Sequence, residues 1–304
     1  MKTFRGRTAV VTGAGSGFGL EVARIAAREG MNVVLAEVQV DALERAQDEI
    51  QALGAQVLPY RLDVSKAVEV EALAKATVDR FGVPHVVFNN AGVGFGGLIW
   101  EHSAQDWEWV VGVNLMGVAH GVRAFTPLML GAASADATYE GHIVNTASMA
   151  GLLSPPNMGV YNVSKHAVVS LTETLFQDLS LVTDQITASV LCPFFVPTGI
   201  HQSHRNRPGA LCADGVKATK SQRIAQAMTA KAVESGKVSA AQVAALVFDA
   251  MRKKRFYIYS HPKALASVQT RLEDIMLARN PTDPFVDKPQ IGAELRAALR
   301  AEEG

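Results

Sequence analysis

The 304-residue chain is 48% apolar and carries no formal net charge, its 29 Lys and Arg balanced by 29 Asp and Glu. It can bury a sizeable core, and the even mix of charges leaves no basic footprint for nucleic acid or an anionic membrane surface. Cys192 and Cys212 have no C-x-x-C pairing or nearby His at ligand spacing, so neither a disulfide framework nor a metal site is expected; without a signal-peptide pattern or a membrane-length apolar run, a soluble cytoplasmic protein is.

Residues 8–12 form a short apolar run entering a Gly-rich turn, and residues 17–30 then space Phe18, Val22, Ile25 and Ala26 as a helix does. The alternation repeats, with strand at 33–36, helix at 41–53, strand at 56–58, helix at 66–81 and strand at 85–88. Apolar strands separated by helices predict a parallel sheet covered on both faces. A longer helix is expected over 104–130, bent or interrupted near Pro127, with a surface loop over the small, polar stretch GAASADATYEGH that begins at Gly131. Strand 142–146, helix 161–181, strand 187–191 and a last strand near 256–259 complete a seven-stranded doubly wound α/β pattern in one domain. Between 194 and 237 strand signals give way to Gly, Pro, Ser and His, which reads as a mobile substrate cap. Residues 262–304 read as a C-terminal extension, an amphipathic helix to about Arg279 and then a short one, that packs on a neighbouring subunit or frays.

Thr12 to Gly19, TGAGSGFG, stand between the first strand and the first helix, where backbone amides and a helix N-terminus receive a pyrophosphate. Glu37 ends the second strand, eighteen residues after Gly19. An acidic side chain there accepts hydrogen bonds from ribose hydroxyls and repels a 2′-phosphate, which argues for NAD over NADP. Asp63 and Val64 follow the third strand and border the adenine. Asn89-Asn90-Ala91-Gly92 follow the fourth, where Gly92 permits close backbone approach and Asn90 either touches the cofactor or locks the loop.

Tyr161 and Lys165, four residues apart on one helix, share a face. A free phenol has a pKa of about 10 and is a poor base at neutral pH, but a cation held nearby favours its ionised form. The pair reads as a general acid/base and its tuner.

In this order the pieces resemble the short-chain dehydrogenase/reductase family, in its compact branch marked by T-G-x-x-x-G-x-G and Y-x-x-x-K, over about residues 8–198. The resemblance implies a single Rossmann-type domain, a nicotinamide cofactor, redox chemistry at a carbonyl/alcohol carbon, and a homodimer or homotetramer built through the long helices. It assigns Tyr161 as catalytic base, Lys165 as its partner, Ser148 as catalytic serine and Asn114 as the helix asparagine that holds a water in the proton relay. It further implies cofactor contacts from Gly13, Ser16, Gly17, Phe18, Gly19, Glu37, Asp63, Val64, Asn90, Ala91, Gly92, Tyr161, Lys165, Pro193, Val196 and Thr198. One departure is Pro193-Phe194 where the family usually has Pro-Gly, which puts a bulky side chain where backbone passes close to the nicotinamide.

Residues 94–100, 152–158, Phe194, Phe195 and the cap frame a mostly apolar pocket, with no Arg or Lys before Arg205 and Arg207 to meet a carboxylate or phosphate. A hydrophobic secondary alcohol or ketone, aromatic or steroid-like, is the expected small-molecule partner. His102, His120, His166, His201 and His204 receive no chemistry, and no metal is expected. Two other functions stay open: an NADPH-dependent ketoreductase, which differs at the ribose, and a non-catalytic dinucleotide-sensing protein, in which the catalytic set would be damaged.

Overall fold

Seven strands form one sheet: β1 (Thr8–Thr12), β2 (Asn32–Glu37), β3 (Val57–Arg61), β4 (Val86–Asn89), β5 (Gly141–Thr146), β6 (Ile186–Cys192) and β7 (Tyr257–Tyr259). Their order is β3-β2-β1-β4-β5-β6-β7 and every pairing is parallel. The strand order reverses between β1 and β4, so a crevice opens beyond their carboxyl ends. This computed structural model describes residues 1–212 and 217–301; residues 213–216 of the expected cap and 302–304 of the expected extension lie outside them.

Among the described residues ten α-helices follow in chain order: α1 (Gly17–Arg28), α2 (Val40–Ala52), α3 (Ala67–Phe81), α4 (Ala104–Val111), α5 (Gly117–Ala135), α6 (Gly159–Val182), α7 (Lys220–Glu234), α8 (Ala240–Lys253), α9 (Leu265–Met276) and α10 (Pro289–Arg300). Successive strand residues point to opposite faces. Val11, Leu35 and Phe88 therefore bury against α1, α2 and α8 through Val22, Ile50 and Phe248. Val10, Val34 and Val87 bury against α3, α5 and α6 through Leu73, Phe125 and Leu179. Both faces being covered explains why the strands read as apolar runs without alternation. No helix among the described residues is long and apolar enough to cross a membrane.

Three expectations need correction. The long helix is not interrupted at Pro127, which lies inside α5; the break is a π-helical turn, Gly112–Met116, between α4 and α5. Its extra residue per turn shifts the side-chain register and turns Asn114 wholly inward. The loop expected from Gly131 begins later, because α5 runs to Ala135: Ala132, Ala133 and Ala135 favour helix, and Met129 and Ala133 are buried. Of the C-terminal extension, α10 packs on α7 of the same chain, with Leu295 buried and the Lys220 ammonium at the start of α7 donating to the carbonyl of Leu299 at 3.3 Å, while Leu272, Ile275 and Met276 of α9 stay exposed. Helix α9 ends at Met276, three residues short of Arg279.

Candidate active site

The turn between β1 and α1 is tied to the β4 loop from below. The Thr12 hydroxyl accepts from the amides of Asn90 (2.9 Å) and Ala91 (3.1 Å), and the Asn90 side chain donates to the Thr12 carbonyl (3.0 Å) and accepts from the Thr146 hydroxyl (3.3 Å). Asn90 thus locks the loop. Gly13 has a positive φ of 64°, and a Cβ there would stand 2.9 Å from the Ala91 Cα. At Gly19 a Cβ would meet the Gly13 carbonyl oxygen at 2.1 Å. Only glycine keeps the first turn of α1 against this loop.

Ser16 is the N-cap of α1 but makes no side-chain cap bond, and the first turn holds no acidic residue. Helices α4, α7 and α8, by contrast, are closed by complete capping boxes from Ser103, Thr219 and Ser239. The leading amides and positive dipole end of α1 are therefore available to an anion, and the glycine cradle around them fits a dinucleotide pyrophosphate.

Glu37 reaches the same turn. Its carboxylate accepts from the amides of Gly15 (3.0 Å), Val38 (2.9 Å) and Gln39 (3.2 Å). Two of these fall on Oε1 and one on Oε2, so one Oε2 lone pair remains for a further donor. Past the end of β3 the Asp63 carboxylate accepts from the Ser65 amide through one of its oxygens (2.9 Å), and the Val64 side chain packs against Gly117.

Helix α6 carries Tyr161 and Lys165 on its buried side. The Lys165 ammonium donates to the Thr146 carbonyl at 2.9 Å and lies 5.7 Å from the centre of the Tyr161 ring. Ser148, just past β5, stands near enough to the phenol to favour its ionised form, accepts from the Ala150 amide (3.1 Å) and donates to the Pro193 carbonyl (3.4 Å). Asn114 stands across Gly92 from Lys165: a Cβ on Gly92 would be 3.3 Å from Asn114 Oδ1 and 3.5 Å from Lys165 Nζ. The structure brings Asn114, Ser148, Tyr161 and Lys165 together at this point.

Two details differ from the sequence reading. Burial pushes the Tyr161 phenol above its ordinary value, with the Ser148 hydroxyl offsetting part of this, so the net shift is opposite to the one expected from the neighbouring cation. Burial also brings Lys165 down to about 8. The Asn114 side chain, for its part, is committed to the Val93 amide (2.8 Å), the Val93 carbonyl (3.0 Å) and the Ser164 hydroxyl (3.1 Å). A relay water at this side chain finds only the second lone pair of Oδ1.

Ser148 and Tyr161 open into a cavity of about 190 Å³ whose walls are mainly apolar, Met149, Leu153, Met158 and Phe195 among them. Phe18, Pro193, Val196 and Thr198 line it on the side of the glycine turn, which joins the two ends of the site. Phe194 also lines it: its amide donates to the Ser260 hydroxyl (2.9 Å) and its ring packs on Phe195 and His261. Trp100 is 76% exposed and takes no part in the wall, contrary to the frame expected over 94–100. His201 and His204, within the expected cap, line the cavity. Arg207 is withheld from it in an ion pair with Asp106 at 2.6 Å.

The sequence model of the short chain dehydrogenases matches residues 7–209. Over 289 residues the chain is 31% identical to a CLA biosynthesis dehydrogenase/reductase of Lactiplantibacillus plantarum, covering 94% of this chain and 99% of that protein. It is 33% identical over 273 residues to a 1-deoxy-11-beta-hydroxypentalenate dehydrogenase of Streptomyces exfoliatus, covering 88% of each. The crystal structure of a short chain dehydrogenase/reductase from Burkholderia phymatum in complex with NAD is similar at a TM-score of 0.90 and 55% identity, over 93% of this chain and 99% of that one.

Proposed function

Because the chain belongs to the short-chain dehydrogenase/reductase family, and is thereby an NAD(P)-dependent oxidoreductase acting on CH–OH groups, we propose that it uses NAD to interconvert a neutral, hydrophobic secondary alcohol and its ketone. The observation that carries this reading is the Ser148–Tyr161 pair opening into an apolar cavity whose rim is continuous with the glycine turn. An uncharged ring system, aromatic or alicyclic, suits walls of Met, Leu and Phe.

Glu37 supports the preference for NAD. Its remaining Oε2 acceptor suits a ribose hydroxyl, whereas a 2′-phosphate would face a fixed carboxylate with no cation among Ala36, Val38 and Gln39. Gly13, Ser16, Gly17 and Gly19 would hold the pyrophosphate; Thr198, Pro193, Val196 and Phe18 would flank the nicotinamide, and Lys165 the ribose beside it. When bound, the oxidised nicotinamide supplies a hydride acceptor and a positive charge that works against the burial keeping Tyr161 neutral. Tyr161 takes the alcohol proton at its phenol oxygen, or returns it to the ketone. Ser148 donates to the same substrate oxygen as its charge changes. Lys165, fixed on the Thr146 carbonyl, favours the phenolate while it holds its own proton.

The described residues of 194–237 act as the cap, and the family's homodimer or homotetramer forms through α5, the π-turn before it and α6, where Met116 and Val163 leave apolar surface exposed. Initial rates with NAD and NADP across a panel of neutral secondary alcohols test the reading. Faster turnover with NAD is expected; preference for NADP would favour an NADPH-dependent ketoreductase, and no turnover despite NADH binding would refute the substrate class. The double variant Glu37→Ala with Val38→Arg should shift the kcat/KM ratio toward NADP by about tenfold or more, since it removes the repelling carboxylate and adds a phosphate donor. An unchanged ratio would place specificity elsewhere.

The pH dependence follows from the acid/base pair. Alcohol oxidation needs unprotonated Tyr161, whose proton is held more tightly than that of a free phenol, so kcat/KM for oxidation should rise with pH across the alkaline range, and loss of the Lys165 proton near 8 should flatten that rise because it removes the cation that favours the phenolate. Ketone reduction needs the protonated phenol and should fall over the same range. Parallel profiles in the two directions would contradict a single shared proton.

A further inference from the structure

Asp106 lies on α4, remote in sequence from the cap, yet two distant pieces of chain meet on its carboxylate beside the N-cap of α4 itself. Oδ1 accepts from Arg207 Nη1 at 2.6 Å, at the end of a 3-10 segment, Gly199–Asn206. Oδ2 accepts from the Ser103 amide at 2.9 Å, the capping bond of α4, and from Gln222 Nε2 at 3.5 Å, in the first turn of α7. The pair is largely shielded from water, with side-chain exposures of 7% for Asp106 and 16% for Arg207. The guanidinium also lies over the rings of Phe95 (5.8 Å) and Trp109 (5.3 Å), which meet edge-on at 5.9 Å, and its Nε donates to the Leu211 carbonyl at 2.9 Å. Phe95 and Gln222 line the cavity beside Ser148 and Tyr161; Asp106 and Arg207 do not.

We propose that Asp106 and Arg207 are positioning residues that latch the cap to α4 and so set the substrate cavity, with Phe95 and the first turn of α7 as the parts they hold in place. A guanidinium suits this task because its planar fork bonds a carboxylate and a carbonyl at once while its face stacks on aromatic rings. An ammonium offers charge without the fork. Because neither side chain touches Tyr161, Ser148 or Lys165, the latch governs how well substrate is held rather than the proton transfer. This rests on the reading that the cavity receives the alcohol or ketone.

The test pairs steady-state kinetics with amide hydrogen exchange on the full-length protein for Arg207→Met and Arg207→Lys. In Arg207→Met, KM for a secondary alcohol should rise about tenfold or more while kcat changes less than about threefold, the pattern of lost binding that is uniform along the reaction. Amides of α7 should exchange faster, those of α1 should not, and NADH should bind as in the parent. Arg207→Lys should fall between the parent and Arg207→Met in both readouts; if Arg207→Met does not fold, this variant decides alone. Unchanged KM overturns the proposal even if α7 exchanges faster, and raised KM with unchanged α7 exchange overturns it in favour of direct contact between Arg207 and substrate. Should the parent turn over no alcohol or ketone, the substrate reading fails, and α7 exchange alone judges the latch.

Discussion

Tyr161→Phe should lower kcat by about 10²–10⁴-fold while NADH binds within about threefold of the parent, because the substitution removes one ionisable oxygen and leaves the ring in place. The ring is buried on α6 near the Lys165 ammonium, and neither its packing nor the Lys165 bond to the Thr146 carbonyl depends on the hydroxyl. Ser148 keeps its bonds to the Ala150 amide and the Pro193 carbonyl, so the cavity wall holds its shape. The loss therefore reports chemistry rather than folding. Paired measurements of kcat and NADH fluorescence titration check it; residual activity near the parent's would assign the proton to another group.

Gly19→Val should weaken NADH binding by about two orders of magnitude, with loss of turnover following from that. A Cβ at residue 19 would stand 2.1 Å from the Gly13 carbonyl oxygen and 2.9 Å from Asn90 Nδ2, so the turn or the helix has to move. The turn cannot move alone: Asn90 holds the carbonyl of Thr12, and the Thr12 hydroxyl holds the amides of Asn90 and Ala91. The strain thus separates the anion-binding end of α1 from the loop that faces it. An NADH titration and a melting curve on the variant check this; unchanged affinity would show that the pyrophosphate seat lies elsewhere.

Much of this architecture is legible in the chain. TGAGSGFG after an apolar run encodes strand, turn and helix by the needs of backbone approach alone, and YNVSK sets two functional side chains on one helical face. What escapes the sequence is whatever depends on backbone register or distant partners. The register shift at Asn114 arises from a π-turn with no residue signature, while Pro127, the visible candidate, sits inside a continuous helix. Helix α8 has a clear start in Ser239 and Gln242, a capping box whose Ser-x-x-Gln spacing is visible in the chain. The Asp106–Arg207 pair joins residues 101 apart, and no local pattern announces it. The direction of the Tyr161 shift is likewise invisible in sequence, because it is set by burial that only the folded protein supplies.

The most direct test of the central claim is single-turnover transfer from a secondary alcohol deuterated at its carbinol carbon to bound NAD, compared between the parent and Tyr161→Phe. The parent should place deuterium on the nicotinamide ring in step with ketone formation, and the variant, with its NAD site filled, should transfer at about 10²-fold lower rate or less. Transfer by Tyr161→Phe at the parent's rate would contradict the account.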